Sequence, residues 1–130
     1  VTTPTETPVM TVYGKVDSHC YQWLLTKCEE LRHSGTERLV VDLTETPDIG
    51  LSCLYVLHCM AKIFRDKAYA APEQGQRGLR RLAEEDMEAG LHPRVKLLAA
   101  NEEAVAMLER AGLARVFPIH RTEAGALRAF

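Results

Sequence analysis

Arg38-Leu39-Val40-Val41-Asp42-Leu43-Thr44 is the stretch on which the fold turns. Its centre, Leu39-Val40-Val41, is wholly apolar, two-thirds β-branched, and closed by Asp42. A strand with one wet face alternates apolar and polar residues, whereas a strand buried on both faces runs without a break. This run therefore reads as a buried strand of a mainly parallel sheet. Ser34-Gly35 stands before it, where a glycine free to take positive φ ends a helix. Thr44 to Pro47 follows as a turn.

The pattern repeats outward on both sides. From His19 to His33, Tyr21, Leu24, Leu25, Cys28 and Leu31 recur at helical spacing, and Asp17-Ser18 can cap that helix. Before it, Val9 to Val16 is rich in β-branched and apolar residues and reads as a strand. After the turn, a second helix begins near Asp48 to Leu51. Cys53, Val56, Leu57, Met60, Ile63 and Phe64 form its inward face, and Leu54, His58 and Ala61 imply cover on more than one side. Val95 to Ala99 is a third strand. Asn101 caps the next helix, with Glu102 and Glu103 in its first turn and Gly112 at its end. Val116 to Ile119 is a short strand, and Thr122 to Phe130 a last helix. Alternation of this kind gives an α/β fold with a small mainly parallel or mixed sheet of about four strands, flanked by about four helices.

The chain has 130 residues, enough for a single domain with one core. A formal net charge of −2 gives no electrostatic case for nucleic acid. The weakly charged stretch Gly50 to Phe64 is broken by His58 and Lys62 and is short for a bilayer, so no membrane insertion is expected and the cytoplasm is the expected compartment. Val1 to Pro8 is Thr/Pro-rich and reads as a leader or linker. Residues 66–93 form an insertion with Pro72, Gly75, Gly78 and many charges. A thin stripe of Leu79, Leu82, Ala83 and Met87 allows a marginal helix over Leu79 to Ala89. Arg80/Glu84 and Arg81/Glu85 pair along it as a solvated face, so little contribution to the core is expected.

The chemistry of the chain is quiet. Cys20, Cys28, Cys53 and Cys59 form no Cys-x-x-Cys pair, and Cys53 and Cys59 lie about 240° apart around a helix. They read as small apolar residues in a reducing compartment, with no metal site. Ser18, Ser34 and Ser52 stand in no nucleophile elbow, and there is no phosphate loop or dinucleotide fingerprint. No catalytic residue and no cofactor are expected.

Three segments in order resemble the STAS family of anti-sigma factor antagonists. Gly14-Lys15-Val16-Asp17 resembles its Gly-x-x-Asp opening. Arg38 to Thr44 resembles its central strand, usually closed by Asp-Leu-Ser. Leu108-Glu109-Arg110-Ala111-Gly112-Leu113 followed by Phe117-Pro118-Ile119 resembles its closing helix and Phe-Pro step, and Thr122 to Leu127 its terminal helix. The resemblance implies a regulatory protein-binding domain whose partner is an anti-sigma factor or a related kinase-like protein.

In that family Asp-Ser-Ser/Thr-Gly-Leu opens the second helix, and its first hydroxyl is phosphorylated. Counting from Asp42 without gaps puts Gly50 at the Asp, Leu51 at the phosphosite, Ser52 next, Cys53 at the Gly and Leu54 at the Leu. Leucine accepts no phosphoryl group; a register shifted by one would bring Ser52 there instead. Asp17, Ser18, Asp48, Ile49, Gly50, Leu51 and Ser52 are the expected partner-binding residues, since open α/β sheets bind at the carboxyl ends of their strands. The alternative is a STAS module that holds a nucleotide or lipid beside a transporter.

Overall fold

In a strand, successive residues face opposite sides, and the unbroken run in the second strand requires cover on both. In the computed structural model, which describes residues 7–14, 20–46, 50–67 and 75–130 with backbone alone at 51, 75–79 and 82, that cover is present. The sheet contains β1 (Val9–Thr11), β2 (Leu39–Asp42), β3 (Val95–Leu98) and β4 (Ile119–His120), in spatial order β1-β2-β3-β4 and parallel throughout. Leu39 and Val41 enter the main core, whereas Val40 enters a smaller cluster behind the sheet with Leu98 and Ala126. Leu39, Val40 and Val41 are all fully buried.

Sequential parallel strands joined by right-handed crossovers place their helices on one face. Here α1 (Tyr21–His33), α2 (Leu51–Phe64) and α4 (Glu102–Arg110) share that face. They contribute Leu24, Leu25 and Cys28, then Val56, Met60 and Phe64, then Val105 and Leu108 to one core. The opposite face carries α5 (Glu123–Arg128), with Val9 and Phe130 packed at the edges of its cluster.

The expected cap of α4 and the glycine stops after α1 and α4 form. The Glu103 N–H donates to Asn101 Oδ1 at 2.8 Å, and Gly35 and Gly112 take φ values of 98° and 81°. By contrast, α1 starts at Tyr21 with Cys20 as its N-cap and no side-chain cap, and Asp17 and Ser18, expected to cap it, lie outside the described residues. Two strands differ from the sequence reading. β1 stops at Thr11 rather than Val16, because Gly14 turns out at φ 71° and its N–H goes to another loop. A 3-10 turn, Leu113–Arg115, occupies the approach to β4, which begins only at Ile119.

The larger difference is the insertion. Its helix α3 (Gly75–Ala89) packs along α2. Met87 lies against the main core, and its methyl sits 2.5 Å from where a side chain at Gly112 would begin. The insertion returns to β3 through His92, which is 1% exposed. His92 Nδ1 accepts from the N–H groups of Arg94 and Val95 at 3.0 and 3.1 Å. With Nδ1 accepting, the proton is on Nε2, which donates to the Ala61 carbonyl at 3.0 Å.

Candidate functional site

The carboxyl ends of the parallel strands converge on one rim. There the chain leaving β1 is joined to the chain leaving β2. The Gly14 N–H donates to the Glu45 carbonyl at 3.1 Å, and the Thr46 hydroxyl to the Val12 carbonyl at 3.0 Å. Thr46 is buried, so its hydroxyl satisfies a carbonyl that water does not reach. The turn itself is set locally: Asp42 Oδ1 accepts from the Thr44 N–H at 2.9 Å, and the Leu43 carbonyl from the Thr46 N–H at 3.1 Å. On the far side Arg121, leaving β4, pairs with Glu102 at the start of α4.

Onto this rim opens the N-terminus of α2. Gly50 is its N-cap, exposed and extended at φ −97° and ψ −171°, with no side-chain cap and no acidic residue in the first turn. Elsewhere Asn101 caps α4 with Glu102 and Glu103 behind it, and Thr122 caps α5. The N–H groups of the first turn of α2 therefore have no carboxylate of their own turn beside them, at the positive end of a 14-residue helix. Tyr13, 76% exposed, stands beside Gly14 on the same rim.

Of the residues expected to bind a partner, Gly50, Leu51 and Ser52 sit together at this helix start. Leu51 is the first helical residue, its side chain outside the described residues, and Ser52 is half-buried. Asp17, Ser18, Asp48 and Ile49 lie outside the described residues.

A second polar constellation escaped the sequence reading. His58, 3% exposed, and Asp86, 1% exposed, meet between α2 and α3 with Nδ1 and Oδ2 2.7 Å apart. A carboxylate only accepts, so Nδ1 carries the proton and donates. One turn along α2, the buried Lys62 donates to Glu85 Oε1 at 2.6 Å and lies 3.7 Å from Asp86 Oδ1. The hydrogen bond from Lys62, and then its charge, hold the Glu85 carboxyl below its ordinary range. The acidic run of the insertion is thus not simply a solvated face. Arg81 does approach Glu85, at 3.9 Å, but Glu85 and Asp86 chiefly dock α3 onto α2. The signal available in the sequence was His58 and Lys62 at i,i+4 spacing on an otherwise apolar helix.

Cys28, Cys53 and Cys59 are buried, and burial pushes each thiol up to about 12, so all three are protonated at neutral pH. Among the described residues no group of three or more His, Cys, Asp or Glu is placed to hold a metal, and no helix is long and apolar enough to cross a membrane. No family model and no characterised protein matches the chain.

Proposed function

We propose that this chain is a regulatory protein-binding domain of the anti-sigma factor antagonist type, reading its partner through the rim and not switched by the usual serine phosphorylation. The observation that carries the reading is the start of α2. A helix N-terminus without a side-chain cap opens onto a surface braced by the Gly14–Glu45 and Thr46–Val12 hydrogen bonds, and Leu51 stands first in that helix. Phosphorylation at such a place would set a dianion against free N–H groups, the physical basis of a switch there. Leucine at the first position leaves nothing to phosphorylate, so the domain binds constitutively.

The test is pull-down from native lysate with rim variants. Leu51→Glu and Ser52→Asp abolish capture of the natural partner while circular dichroism stays native, because an unpaired charge buried at an interface costs several kcal/mol. Arg128→Glu, on the exposed side of α5, leaves capture intact. Incubation with a cognate anti-sigma kinase leaves the intact mass unchanged. An added phosphate that disappears in Ser52→Ala restores the ordinary switch and ends the constitutive reading. Should the partner instead be a nucleotide or lipid, a thermal-shift screen raises the midpoint for that ligand.

A further inference from the structure

In a parallel ladder, alternate residues of a strand direct their backbone groups to opposite neighbours. The Val40 N–H donates to the Pro8 carbonyl and the Val12 N–H to the Asp42 carbonyl, so Pro8, Met10 and Val12 face β2. Val9 and Thr11 direct theirs outward, and among the described residues no strand pairs with that outer edge. Beside the edge runs a groove of about 490 Å³, lined by Pro8 to Thr11 on one side and by Trp23, Lys27, Glu30, Leu31 and Ser34 of α1 on the other. Trp23 is 60% exposed, and Lys27 Nζ lies 5.7 Å from its ring centre and 3.6 Å from Glu30.

We propose that the outer edge of β1 and the Trp23 stripe of α1 form a self-association surface, occupied by a second copy of this chain. The edge is complementary to itself. Antiparallel pairing about a two-fold axis through Met10 sets Val9 of one copy against Thr11 of the other, and both residues carry the outward N–H and C=O groups. Paired residues in an antiparallel ladder point to the same face, so both α1 helices lie on one side of the joined sheet and run antiparallel to each other. The charges on α1 suit that arrangement. Lys27 and Glu30 stand in the middle of the stripe, and reversal of one helix brings Lys27 opposite the second copy's Glu30, with Trp23 opposite its Ser34. A foreign strand would gain the backbone pairing without this reciprocal charge match. The edge is only three residues long, which makes the association weak and concentration-dependent.

Sedimentation velocity over micromolar to hundreds-of-micromolar protein tests the proposal on the full chain. The expected result is a monomer–dimer equilibrium. Thr11→Pro removes an outward N–H without touching the inward ladder, and shifts the equilibrium to monomer. Lys27→Glu weakens association by about fivefold, since two symmetric ion pairs become like-charge contacts. Lys27→Glu/Glu30→Lys restores it. The charge series carries the test if the proline variant does not fold. Monomer at every concentration overturns the proposal, as does a dimer indifferent to both Thr11→Pro and Lys27→Glu. A dimer that appears only after removal of residues 1–6 also overturns it, because that segment would then hold the edge.

Discussion

At the residue scale, His92 shows how a histidine can be structural through the proton it lacks. Its Nδ1 must stay unprotonated to accept the Arg94 and Val95 N–H groups, and burial lowers its pKa from 6.5 to about 4. The bond to Ala61 opposes that shift, while the charge of Arg65 adds to it. The unfolded chain binds this proton first, so stability is full above about pH 6.5 and falls as the pH drops toward 4. The loss amounts to about 3 kcal/mol across that window. Urea unfolding from pH 7.5 to 4 in the native protein and in His92→Gln measures it. The variant starts less stable but shows a flatter profile between pH 6.5 and 4.5, and equal slopes would show that His92 does not set the acid limit. Asp66, held below its ordinary range by its hydrogen bond and charge pairing with Arg32, is exposed and is shifted away from this window.

At the element scale, α3 is attached by both packing and charge, and its polar contacts make the attachment testable. Asp86→Ala leaves the buried His58 Nδ1–H without its acceptor and the buried Lys62 with one carboxylate fewer beside it, and lowers unfolding stability by about 2–4 kcal/mol. His58→Leu/Asp86→Leu recovers most of that loss, since an apolar pair of similar volume carries no desolvation cost. Denaturant midpoints distinguish the two, and a neutral Asp86→Ala would mean that α3 does not rely on these contacts. The same contrast explains what was readable in advance. β2 announced itself because both of its faces are apolar, and α4 because the side chains of Asn101 and Glu102 mark its start and Gly112, free to take positive φ, marks its end. Docking of α3 by Glu85 and Asp86 leaves no apolar period, so those acids looked like a solvated face. β1 looked longer than it is because Val12 and Val16 suit a strand, whereas the bond that diverts the chain at Gly14 is between backbone groups. For the same reason the helix start at Gly50 to Ser52 was legible from the turn before it, but the bracing of the rim was not.

At the scale of the whole molecule, the sheet is covered unequally, and the thin side is where the fold is most exposed to change. Three helices and the flank of α3 close the front. Behind the sheet, α5 and the C-terminal Phe130 shield Val40 and Leu98. Lys96, 7% exposed, threads between these groups with its Nζ 4.8 Å from the Phe130 ring centre, and Arg38 approaches the same ring at 5.8 Å. Burial lowers the Lys96 pKa, and among the described residues no carboxylate forms an ion pair with it, so the ring face is the attractive surface at hand. Phe130→Ala therefore costs about 1 kcal/mol through lost contact and cation–π attraction. Ending the chain at Arg121 removes α5 and uncovers Val40 and Leu98 in the middle of the sheet, and lowers stability by about 2–4 kcal/mol. Denaturant unfolding reads the loss, and binding of a hydrophobic dye to the native truncated protein reads the uncovered face. A truncated chain with an unchanged midpoint and no dye binding would mean that the back of the sheet needs no cover. In that case the unbroken apolar run of β2 would owe nothing to burial on its second face.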